Sequence, residues 1–134
     1  MVDLASTCHT CGAPLDGPSD ARHPQCAPCA ASRPAARRRL AMRAHRNRLR
    51  AHRRGAPGRF SAADVRAMWR AQDRRCAYCA RPLGPLYASP PGYHVEHRVP
   101  LERGGDNAPP NLCLSCPSCN AEKGTMTDDE FLCL

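Results

Sequence analysis

Apolar positions in this chain come in short runs, and their spacing changes along it. Val65, Met68, Trp69 and Cys76 recur at helical spacing. Ser61 suits an N-cap, Asp64 three residues later comes close to a capping box with Asp in place of Glu, and Phe60 and Val65 form a hydrophobic staple. Residues 60–75 therefore predict a helix with one face on the core, while Arg66, Arg70 and Arg74 lie four apart on another face. From 93 to 99 the period drops to two: Tyr93, Val95, His97 and Val99 alternate with His94, Glu96 and Arg98. This predicts a strand ended by Pro100. A Gly/Asn/Pro loop over 101–110, a second short strand at Asn111–Ser115 and a helix from about Ser118 toward Thr125 follow. Asp128-Asp129-Glu130 reads as an exposed tail or a short final turn.

Upstream, Ala35–Arg54 holds no Gly or Pro and is rich in good helix formers. A helix of about 20 residues would span about 30 Å. Leu40, Met42, Leu49 and the alanines do not form a wide stripe, so such a helix is marginal until phosphates neutralise its arginines; a solvated linker is the competing reading. Gly55-Ala56-Pro57-Gly58 breaks the helix and marks a boundary. Three units result: 1–30, 31–59 and 60–134.

Composition changes the picture in two ways. Aromatic content is 4%, and 9 Gly plus 14 Pro make a poor recipe for a large core, so something else must stabilise the fold. Eight of the 10 cysteines fall into Cys-x-x-Cys pairs, at 8/11, 26/29, 76/79 and 116/119. Two thiolates at that spacing take adjacent corners of a zinc tetrahedron. Cys8, Cys11, Cys26 and Cys29 predict an N-terminal zinc ribbon around a turn-rich gap, with His9 and His23 as substitute ligands. Cys76, Cys79, Cys116 and Cys119 predict a second, structural zinc site, since four thiolates leave no open position. Cys113 is the substitute ligand there, and Cys133 a free thiol. The chain opens without the basic start and apolar run of a signal peptide, and no segment is apolar enough to cross a membrane. The expectation is a reducing cytoplasm, in a bacterium or the bacterial host of a phage given the heavy Ala/Arg/Pro usage; disulfides are the competing reading of the cysteines.

Charge is the second change. The net charge is +8, and eleven arginines and no acid lie between Ala31 and Arg59. One localised basic block is an electrostatic footprint for a polyanion, chiefly nucleic acid. Arg37, Arg38, Arg39, Arg43, Arg46 and Arg50 are the candidate contacts, with Arg98 and Lys123 further along the chain.

The chemistry concentrates in Tyr93–Asn120. Glu96-His97, Pro100-Leu101, Gly104-Gly105, Asn111-Leu112, Cys116-x-x-Cys119-Asn120 and Lys123-Gly124 follow one another in an order that resembles the HNH nuclease family. The resemblance covers roughly residues 60–127. It implies a small α+β fold: a ββα-metal (His-Me) finger stapled by the four-cysteine zinc site, here preceded by the zinc ribbon and a basic helix or linker. It also implies His97 as general base, a divalent cation on Glu96 and Asn120, and Asn111 holding the His97 ring and the loop. The family more often has Asp where this chain has Glu96, and often His where it has Asn120. An amide oxygen suits a hard cation and binds zinc weakly, which favours Mg²⁺ or Mn²⁺ over catalytic zinc. Neighbours on an ideal strand point to opposite faces, so Glu96 and His97 share a site only if the strand bends or bulges. His94 is read as a surface or packing histidine that could touch phosphate or metal, and Trp69 as core.

The function this predicts is metal-dependent hydrolysis of DNA phosphodiester bonds. A single site cuts one strand, so a double-strand break needs a homodimer, two visits or a larger DNA-processing complex. A non-catalytic zinc-ribbon nucleic-acid-binding protein and a phage DNA-packaging accessory factor are the alternatives, and RNA is the alternative substrate.

Overall fold

The computed structural model describes residues 8, 13, 15, 26–87 and 91–134, without the side chains of 28–33. The N-terminal ribbon expected from Cys8, Cys11, Cys26 and Cys29 falls largely outside these residues. Three segments build the rest: a long helix α1 (Ala27–Arg53), a shorter α2 (Ala62–Ala71), and a compact ββα unit. That unit consists of β1 (His94–His97), β2 (Leu112–Ser115) and α3 (Pro117–Lys123), with a last short helix α4 (Asp128–Leu132) behind it.

α1 is longer than Ala35–Arg54 and starts two turns earlier, at Ala27. Pro28 lies in its first turn, where a missing N–H costs nothing. Pro34 lies inside and forfeits one backbone hydrogen bond, but its fixed φ is helical and the chain continues through it. The helix thus crosses the 30/31 boundary drawn from the sequence. Ala36, Leu40, Ala44 and Ala51 form a buried stripe four to seven residues apart, while Met42 and Leu49 are exposed. A stripe of small residues lets α1 lie close to its neighbours. Leu40 and Ala44 share one core with Phe60, Val65, Trp69, Tyr93, Leu112 and Leu114. The arginine block is therefore a packed helix.

α2 begins as its sequence predicts. Ser61 caps it, with Ser61 Oγ accepting from the Asp64 N–H and Asp64 accepting from the Ser61 N–H. Its buried residues are Val65 and Trp69. Gln72, just past its end, donates from Nε2 to the Leu114 carbonyl at 2.8 Å and accepts from the Leu114 N–H at 2.9 Å. The side chain amide thus completes the outer edge of β2 as a third strand would.

β1 and β2 pair antiparallel, with His94 opposite Ser115, Val95 opposite Leu114, Glu96 opposite Cys113 and His97 opposite Leu112. The connecting loop closes tightly, and Gly105 is the reason it can. A Cβ there would sit 1.8 Å from the Val99 carbonyl oxygen. Gly58, at φ +84°, approaches the same loop, where a Cβ would meet the Ala108 nitrogen at 2.8 Å. The acidic end is more ordered than a tail. Thr127 and Glu130 form a capping box, and Asp128 accepts from Tyr78 Oη and from Arg98 Nη1, each at 2.7 Å.

Candidate active site and zinc centre

The four-cysteine cluster follows directly from the two knuckles. Cys76 and Cys79 leave the turn after α2, while Cys116 and Cys119 open α3. Their four sulfurs lie within 4.8 Å of one another, and Cys79 Sγ and Cys116 Sγ are 3.8 Å apart. A zinc tetrahedron with Zn–S of ~2.3 Å has edges of ~3.8 Å, so the donor set fits the ion. Backbone N–H groups already face the sulfurs: Cys116 N donates to Cys76 Sγ at 3.3 Å and Cys119 N to Cys116 Sγ at 3.4 Å. Burial pushes the Cys76 thiol up, but hydrogen bonds from backbone N–H groups outweigh it and bring the thiol down to about 7. Burial, then hydrogen bonding from the other cysteines, pushes Cys119 well above the thiol range. Zinc would displace the thiol protons of the cluster. Cys113 stays out of the cluster and donates to Tyr78 Oη.

On the other side of β1 lies a cleft of about 250 Å³. Glu96, His97 and Asn120 line it together, with His94, Arg50 and Arg54. The β1–β2 ladder is regular through His97, so no bulge brings Glu96 and His97 together. The expected bend or bulge between them is absent: both residues line the cleft from a regular strand, and the chain bends only after them, at Arg98–Val99.

The His97 ring is buried, and its Nε2 lies 2.8 Å from Asn107 Oδ1. An amide oxygen accepts, so Nε2 carries the hydrogen and Nδ1 keeps the lone pair. Burial holds His97 below the usual imidazole range, and the Arg50 and Lys123 charges add to this. The Asn107 hydrogen bond and the Glu96 charge work against it without reversing it. The balance favours the neutral ring.

Asn107, and not Asn111, holds the ring. Asn111 donates from Nδ2 to the Val99 and Asp106 carbonyls, and its Oδ1 accepts from the Val99 N–H. It staples the loop that carries Asn107, which is the loop half of the role the resemblance implied. Asn107 is completely buried, and its own N–H donates to the Pro57 carbonyl. Nothing periodic in Gly104–Asn111 tells which amide turns inward, so the sequence could not single it out.

Lys123 is the second surprise. Expected at phosphate, it is 0% exposed, and its Nζ donates to Glu96 Oε1 at 3.0 Å and to the His97 carbonyl at 2.9 Å. It therefore braces Glu96 and His97 from within. The reason is helical phase: Asn120 and Lys123 are three apart on α3, and the helix packs this face against β1. Arg98 is likewise engaged, on Asp128.

Oxygen donors from Glu96 and Asn120 suit a hard divalent cation. One Glu96 oxygen already holds Lys123; the other carries no hydrogen bond among the described residues. The remaining arginines follow α1. Arg50 and Arg54 wall the cleft, Arg54 lying 3.5 Å from Glu102, and Arg46 and Arg43 line an adjoining cavity. Arg37, Arg38 and Arg39 lie exposed further up the helix, Arg39 donating to the Tyr87 carbonyl.

Residues 76–125 match the family model described as HNH endonuclease. The span runs from the first cysteine of the cluster to just past α3, and over these residues it bears out the resemblance read from the sequence. No curated protein and no solved structure matches the chain. Among the described residues, no helix is long and apolar enough to cross a membrane.

Proposed function

We propose that this protein is a metal-dependent HNH endonuclease that hydrolyses DNA phosphodiester bonds. The observation that carries the reading is the convergence of Glu96, His97 and Asn120 on one arginine-walled cleft. His97 acts as general base through Nδ1, the nitrogen left unprotonated by the Asn107 hydrogen bond. As it takes the proton, the water oxygen bonds to phosphorus and the bond from phosphorus to the 3′ oxygen breaks. The electron pair leaves with that oxygen, which gains a proton from solvent. A divalent cation, Mg²⁺ or Mn²⁺, on Glu96 and Asn120 would supply Lewis-acid stabilisation of the phosphate and the leaving oxygen. Arg50 and Arg54 hold the charged backbone at the cleft, and Lys123 fixes Glu96 from behind.

Arg39, Arg43 and Arg46 extend this basic wall along α1, which is about 40 Å long, and Arg37 and Arg38 add charge on its other faces. Contacts of that kind are independent of base sequence and weaken steeply with salt. α1 delivers the HNH domain to DNA, and a double-strand break takes a second copy or a second visit.

The test is cleavage of supercoiled plasmid with Mg²⁺ or Mn²⁺, comparing the protein with His97→Ala at equal zinc content. Metal-dependent nicking, reduced at least ~100-fold in the variant, is the expected result. Equal cleavage by both proteins removes His97 from the mechanism. Salt-sensitive DNA binding with no cleavage under any divalent ion would mean a binding module.

A further inference from the structure

Beside the catalytic cleft, between α1, the start of α2 and β1, lies a second cavity of about 240 Å³. The two share Arg50, His94 and Val95 as lining, so a strand lying in one continues into the other. Their walls differ. The cleft is polar, whereas the second cavity has an apolar floor that includes Leu40, Phe60 and Tyr93. Its rim is basic, with Arg43, Arg46 and Arg50, and Asn47 lies among them. The Arg43 guanidinium stands 5.9 Å from the Tyr93 ring centroid.

We infer that this cavity takes one unpaired nucleobase of the substrate strand, next to the phosphate in the cleft. The inference rests on the nuclease reading for the place of that phosphate. Three features select the occupant. The volume is below the ~300–1,000 Å³ of sites for drug-sized ligands, so it suits a single ring system. The arginine rim requires an occupant tethered to negative charge, which a base on its sugar-phosphate chain is. The apolar floor favours a flat, weakly polar face; Asn47 Oδ1 accepts from Arg50 Nη2 at 3.3 Å, which leaves the Nδ2 donors to meet the hydrogen-bonding edge of a base. A base inside an intact duplex cannot enter, because its faces are stacked and its edge is paired. The favoured substrate is therefore DNA with an unpaired nucleotide beside the cut: single-stranded, bulged or frayed.

The experiment reads binding without cleavage, by fluorescence anisotropy without added divalent cation. The probes are a labelled oligothymidine of about 12 nucleotides, the same length of abasic sugar-phosphate strand, and the oligothymidine paired in a duplex. Single-strand and abasic probes carry equal charge, so they differ only in bases. Oligothymidine is expected to bind at least ~5-fold tighter than the abasic strand, the low end for one stacked base. Asn47→Leu narrows the cavity and removes the amide. It is expected to bring the two affinities within about twofold while zinc content and circular dichroism stay unchanged. Equal binding of the two strands by the unaltered protein overturns the proposal without any variant, as does a base preference that survives in Asn47→Leu. Failure of the nuclease reading would show separately, as absence of plasmid nicking.

Discussion

Lys123→Met tests how the candidate site is held together. In the protein Nζ is fully buried and makes two bonds, to Glu96 Oε1 and to the His97 carbonyl. Methionine fills much the same volume and makes neither. It leaves a carboxylate whose side chain is only 13% exposed without its counter-charge, and a carbonyl without its donor. Breaking a buried pair costs about 3–5 kcal/mol. Some water reaches Glu96, so the low end applies, about 3 kcal/mol. For a domain of this size each kcal/mol moves the melting point by about 3–4 °C, so the shift is about 10 °C. The assay is a thermal melt at fixed excess zinc, because loss of the ion would swamp the effect. Glu96→Gln strands the buried ammonium and should cost a similar amount. The double variant should cost less than the sum by about 2 kcal/mol, since it removes both charges together. The same substitution removes a positive charge 3.0 Å from Glu96, so binding of Mg²⁺ or Mn²⁺ there should tighten as stability falls. A shift under about 2 °C, or strict additivity in the double variant, would refute the view that Lys123 braces the site.

Other outcomes follow from the same geometry. Gly105→Ala drives a Cβ to 1.8 Å from the Val99 carbonyl, so the loop must open; a loss of at least ~3 kcal/mol in urea unfolding is expected, together with most plasmid nicking. Zinc removal by a strong chelator, or Cys116→Ser, should abolish the cooperative unfolding transition seen by circular dichroism, because the ion would tie α2, β2 and α3 together. Burial lowers His97, so its neutral form persists below the usual pKa of ~6.5 and nicking should fall only as pH drops beneath that value. Asn107→Asp places a carboxylate on Nε2–H, favours the charged ring and should move that acid limb upward in a pH–rate profile.

Much of the fold was legible because it is written in local signals. The capping box at Ser61 and Asp64, the alternation that became β1 over His94–His97, and the spacing of the two knuckles are short-range patterns. α1 was half legible: composition predicted a helix, but Pro34 suggested a start that backbone geometry did not require. The same holds for the end of the chain, where Thr127 and Glu130 cap a helix that the acidic run obscured.

The candidate site divides the same way. Residue types and order singled out Glu96, His97 and Asn120, and they meet in one cleft. What the order of residues could not state is which polar neighbour faces which. Asn107 and Asn111 are four apart in one loop, and only the closure of that loop on Val99 turns the first toward the His97 ring and the second toward backbone carbonyls. Lys123 reads as a surface cation until α3 packs on β1 and encloses it. The arginine block reads as a general footprint until its stripe of alanines fixes the face of α1 that packs, which brings Arg50 and Arg54 to the candidate cleft. The sequence by itself determined most of the elements, the four cysteines that cluster and the residue types of the candidate site. Tertiary structure alone decided their partners, because burial and hydrogen bonding between segments tens of residues apart depend on packing, which no local pattern encodes.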